Sequence, residues 1–175
     1  MLELQIDARG GTVNDTAYTD AELAELDRVA RQIDIDAPAD RVWDLVVRPG
    51  WYINDGTVDP EPDLRQEGDV TVVRHPEFGE FRFGTVALDK PRYASFRWLT
   101  GRNQQGAKGS TLVEFWIDER PGGVTLRVVE SGFSGLFDEQ EAWLKERAGN
   151  DKGWVEELAA GKAYVEKTAA AARRS

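Results

Sequence analysis

The chain has 175 residues, of which 41% are apolar, and a formal net charge of −10. That length and apolar content suit one folded domain with a core, while the acidic balance argues against nucleic acid and anionic membrane as partners, since both reward a basic surface. There is no cysteine and a single histidine, His75, which excludes disulfides, thiol catalysis and cysteine-type zinc sites and leaves no metal or other cofactor expected.

The first stretch, Met1 to Gly11, alternates briefly at Leu2, Leu4 and Ile6 as a short strand would. It lacks a basic segment leading into an apolar run, and no run approaches the ~18 apolar residues of a membrane span, so a cytoplasmic location is expected. Thr19 to Leu26 reads as a short helix, with Thr19 and Glu22 spaced as a capping box. Val29 to Ile35 alternates as a strand, and Ala37-Pro38 ends it. Asp40 is then placed to cap a helix that buries Val42, Trp43, Leu45 and Val46. Gly50 to Gly56 begins as an apolar turn and becomes a loop, followed by an acidic stretch (Asp55, Asp59, Glu61, Asp63) that reads as a solvated face. His75 falls in a turn with Pro76 and Glu77.

Five strand-like runs follow: Asp69 to Arg74, Glu80 to Asp89, Tyr93 to Leu99, Ser110 to Glu119 and Val124 to Ser131. The connections are short and rich in Gly and Pro, so successive strands should pair antiparallel as a meander. Phe133 to Ala148 is a polar connector, partly helical, anchored by Phe137, Trp143 and Leu144. Asn150-Asp151 then reads as the N-cap of a long helix running to Ser175, with Trp154, Leu158, Gly161, Val165 and Thr168 on one face. Gly161 stands on that apolar stripe, where glycine costs about 1 kcal/mol relative to alanine. The missing side chain implies that a backbone, a ring or a ligand takes the volume.

The run Ile33 to Trp43, with its apolar strand, Ala37-Pro38 and Val42-Trp43, resembles the opening of the START-like or SRPBCC superfamily. Gly50 to Gly56, Val129 to Phe133, and Gly149 to Trp154 followed by Leu158 and Tyr164 resemble one branch of it, the bacterial homologues of the activator of heat-shock protein 90 ATPase. The resemblance spans Val29 to Lys167. It implies an α+β helix-grip (START-like, Bet v-like) fold, in which a curved antiparallel sheet wraps around a long C-terminal helix. Residues 1–28 are then an extension and 29–175 the domain.

Two constellations are candidates for function. Counting by twos from Val124 puts Glu130 on the inward face of the last strand, where a carboxylate needs a partner or a polar ligand. Large rings are numerous, and Trp51, Phe83, Phe96, Trp98, Phe115, Trp154 and Tyr164 around Gly161 are expected to line a pocket with Glu130. The leading expectation is non-catalytic binding of a small hydrophobic or aromatic molecule between sheet and C-terminal helix. A chaperone-activator-like protein-interaction module is the alternative. A cyclase- or hydrolase-like enzyme with Glu130 as its weak catalytic candidate is the third. Monomer and homodimer are both open.

Overall fold

A computed structural model describes residues 18–100 and 106–174. The strand expected near the start and the first part of the Gly101 to Gly109 loop lie outside those residues. Helix α1 (Asp20–Leu26) opens with the expected box: Thr19 Oγ1 accepts from the Glu22 amide at 3.2 Å, and Glu22 Oε2 accepts from the Thr19 amide at 2.8 Å. Strand β1 (Arg28–Ile35) and helix α2 (Ala39–Val46) come next. The residue at the N-cap of α2 is Pro38 rather than Asp40; it gives no side-chain cap, and Asp40 sits inside the first turn.

Six further strands complete one sheet: β2 (Asp63–Glu67), β3 (Val70–His75), β4 (Gly79–Asp89), β5 (Tyr93–Thr100), β6 (Thr111–Arg120) and β7 (Gly123–Ser131). All neighbouring pairs are antiparallel, in the order β1-β7-β6-β5-β4-β3-β2, so only β1 joins out of sequence. β2 went unseen in the sequence because every residue of it is exposed, which removes the alternation that marks a half-buried strand. Register shifts within β4, between Arg82 and Phe83 and between Thr85 and Ala87, are the local irregularities that bend a strand and curl its sheet.

The concave face carries the core. Val113, Phe115 and Ile117 of β6 and Val124, Leu126 and Val128 of β7 are buried there, as their two-residue period requires. Helix α3 (Gln140–Ala172) lies across it. It begins ten positions before Asn150, at a Glu139 N-cap without a side-chain hydrogen bond. Asn150 and Asp151 are therefore mid-helix, where Asp151 pairs with Arg31 of β1 at 2.7 Å and Arg147 at 3.5 Å. The buried stripe runs through Trp154, Leu158, Gly161 and Val165 and ends on Ala169, not on the exposed Thr168. No helix of the described residues is long and apolar enough to cross a membrane.

Candidate functional site

Glu130 is where the alternation of β7 put it. It pairs in register with Val29 on one side and Val113 on the other, and its side chain is fully buried. No cation meets it among the described residues. Its partners are neutral donors: the Thr111 hydroxyl at 2.7 Å, the Trp154 indole N–H at 2.8 Å, and the Asn150 amide at 3.1 and 3.2 Å to its two oxygens. Burial pushes the Glu130 carboxyl above its ordinary range, and the three donors hold it partly down. The carboxylate thus clamps α3 to the sheet and fixes the Trp154 ring.

Beside this clamp a cleft of about 310 Å³ opens between α3 and the β4–β5 side of the sheet. Its aromatic walls are Tyr52 from the loop after α2, Phe78 and Phe81 near the start of β4, Trp98 of β5 and Trp154 of α3. Tyr52 packs 4.7 Å from Trp154 and 5.3 Å from Trp98, ring centre to ring centre. Gly149 and Gly153 form the helix side, and a side chain built on either would meet nothing within 4 Å. Their bareness keeps the cleft open.

Polar groups border it unevenly. The Tyr52 hydroxyl and the Trp98 indole N–H are buried without a hydrogen-bond partner among the described residues. Burial first, and the Glu130 charge second, hold the Tyr52 phenol well above its ordinary value. Glu157 lines the cleft too, and Asn54 Nδ2 donates to its Oε2 at 2.6 Å. Burial, aided by Glu156 and Asp55 and opposed by that Asn54 bond, raises the Glu157 carboxyl to about 7. Glu146, one helical stretch earlier, is likewise raised to about 7 by burial and the Glu130 charge.

A profile of the family described as Activator of Hsp90 ATPase homolog 1-like protein matches residues 36–166. The chain belongs to this family. No curated protein matches the sequence at a significant level. Several solved structures share the fold. Protein MLL2253 from Mesorhizobium loti superposes with a TM-score of 0.61 at 16% identity, over 81% of this chain and 98% of that one. The Zhui aromatase/cyclase from a Streptomyces species gives 0.58 at 19% identity, over 80% and 93% of the two chains. DynU16, a protein of the dynemicin biosynthetic locus, gives 0.58 at 19% identity, over 82% and 48%. At these identities the likeness shows the helix-grip fold alone.

In this Activator of Hsp90 ATPase homolog 1-like chain, the residues expected around a pocket divide into three groups. Trp98 and Trp154 stand on the cleft wall. Phe83, Phe96 and Phe115 are fully buried behind it; Phe83 and Phe115 back the Tyr52 ring at 5.8 and 6.1 Å. Gly161 and Tyr164 lie further along α3, and Trp51, from the loop after α2, packs there too; none of the three lines the cleft. The Gly161 volume belongs to a ring: an added Cβ would come within 2.9 and 3.0 Å of Trp51 and 3.3 Å of Leu45. Tyr164 lies under the Arg48 guanidinium, 5.9 Å from ring centre.

Tyr52, Asn54, Gly149, Gly153 and Glu157 were missed as site residues. Tyr52 and Asn54 sit in a loop, where no period points inward. Their path depends on Gly50, whose φ of 67° and whose approach to Phe83 and Val73 (2.7 and 2.8 Å from an added Cβ) admit only glycine. The turn delivers Trp51 to Gly161 and Tyr52 to the cleft. The usable signal for the helix side was the four-residue spacing of Gly149 and Gly153, which becomes one face once the helix is known to start at Gln140.

Proposed function

We propose that this protein binds a small, largely aromatic molecule carrying hydrogen-bonding groups, in the cleft between the sheet and α3. The observation that carries this reading is a pair of buried polar atoms without a partner among the described residues, Tyr52 Oη and Trp98 Nε1, both belonging to residues that line the cleft. Buried hydroxyl and indole groups normally find partners, and leaving one unpaired costs about 1–3 kcal/mol. A ligand group placed in the cleft supplies what the chain does not. The dimensions agree, since about 310 Å³ falls at the small end of ligand pockets. Glu130 serves as an anchor for the Trp154 wall: its oxygens are occupied by three donors, and it is separated from solvent.

Titration with the neutral fluorescent dye N-phenylnaphthylamine tests the reading. Saturable binding is expected, and Gly153→Leu should weaken it at least roughly tenfold by filling the cleft from the helix side. Dye that fails to bind, or binds the Gly153→Leu protein as tightly as the parent, overturns it.

A further inference from the structure

We infer that the cleft selects an organic cation, an amine whose ammonium meets Glu157 between aromatic faces and whose other end offers a hydrogen-bond acceptor. This rests on the binding reading above and narrows it to one ligand class. The first ground is charge. Among the described residues the cleft lining contains no lysine or arginine and no ion pair reaches Glu157, so its carboxylate has one neutral side-chain donor, Asn54. An ionised carboxylate has room for about four hydrogen bonds. The charges that act on it among the described residues are negative, Glu156 on the helix and Asp55 on the adjoining loop. Such an arrangement repels an anionic ligand and gains from a cationic one.

The second ground is the walls. The rings of Trp154 and Trp98 lie 4.7 and 5.3 Å from that of the central Tyr52. Aromatic faces carry negative potential and attract ammonium groups, most of all where water is excluded. The third ground is independent of charge. Tyr52 is only 5% exposed, yet its hydroxyl has no partner, and a hydroxyl oxygen accepts from an ammonium N–H. The Trp98 indole N–H, by contrast, is a donor only, so the same ligand must present an oxygen or similar acceptor on that side. A metal ion is the poorer occupant, since no three His, Asp or Glu side chains among the described residues converge as ligands would. Burial raises the Glu157 carboxyl to about 7, so it is part-protonated at neutral pH, and an ammonium beside it would draw it back to the carboxylate.

The test uses three molecules of one skeleton: tyramine (cation), tyrosol (neutral) and phloretate (anion), each competed against N-phenylnaphthylamine and titrated calorimetrically at neutral pH. Tyramine is expected to bind roughly tenfold or more tighter than tyrosol, with phloretate weakest. Glu157→Gln should remove the advantage of tyramine over tyrosol, with a thermal melt confirming that the variant is folded. If that variant does not fold, the ranking of the three on the parent protein decides alone. Tyrosol equal to tyramine, phloretate tightest, or a preference that survives Glu157→Gln overturns the cation inference. If the dye binds but the cation preference is missing, the cleft reading stands without it. If the dye also fails to bind, both fall.

Discussion

The two halves of α3 use glycine in opposite ways. Towards the C-terminal end, Gly161 faces Trp51 and Leu45 at contact distance, so its missing side chain is space already given to a ring. Towards the other end, Gly149 and Gly153 face nothing within 4 Å, and the space they leave is the cleft. The apolar stripe follows the same division: Leu158, Gly161, Val165 and Ala169 are buried in unbroken helical steps, whereas the polar Asn150 and Glu157 stand beside the opening. One half of the helix holds the sheet; the other leaves room. A glycine on a buried helix face is thus evidence about its neighbours, and only the neighbours say whether the volume is filled.

The sharpest way to break that comparison is substitution at its two ends. Gly161→Leu should destabilise by about 1–3 kcal/mol in chemical denaturation, because the Trp51 ring is enclosed and cannot retreat without disturbing the core. Gly153→Ala meets no such neighbour and should stabilise by up to about 1 kcal/mol through helix propensity. A Gly161→Leu protein as stable as the parent would mean that the Trp51 ring does not fill this volume.

The open half should also carry the pH dependence. Glu157 and Glu146 rise from an ordinary 4.5 to about 7 in the folded protein, chiefly by burial. Their folded forms hold protons more tightly than the unfolded chain, so their stabilising effect is complete below about 4.5 and is lost as pH rises through about 7. Glu130, also raised by burial, acts in the same direction. Stability measured from pH 5 to pH 8 should therefore fall, and Glu157→Gln should flatten part of that fall. An unchanged slope in the variant would remove Glu157 as its source.

The smallest effect belongs to the surface ties. Asp151→Ala breaks the contacts with Arg31 and Arg147, both partly exposed, and should cost about 0–1 kcal/mol, less in high salt. A loss of several kcal/mol would mean that this pair, and not the buried Glu130 clamp, fastens the helix to β1.

How far the sequence could be read follows from where its residues point. Strands β1 and β3 to β7, the α1 capping box, and the inward Glu130 were legible, because one-sided burial writes a period into the chain. The start of α3 was not. Asn150-Asp151 has the composition of a cap, and Gly149 with Gly153 has that of a loop, yet the helix passes through all four. Side chains that serve as caps elsewhere are used here for tertiary bonds, Asn150 to Glu130 and Asp151 to Arg31. The cleft was misplaced for the same reason: Gly161 stood out on a stripe already recognised as helical, while the two glycines that make the opening stood outside it. Tyr52, in a loop without periodicity, left no signal of its burial.

The two bare positions also set the mechanics of the cleft. Glycines at 149 and 153 make this the segment of α3 with the weakest helical preference, and both border the opening, while Asn150 and Asp151 between them are tied to Glu130 and Arg31. Local opening of the backbone draws on such low-stability stretches first. The rest of the helix is seated on the core from Trp154 to Ala169. Amide hydrogen exchange is therefore expected to run faster around Gly149 and Gly153 than along the seated half.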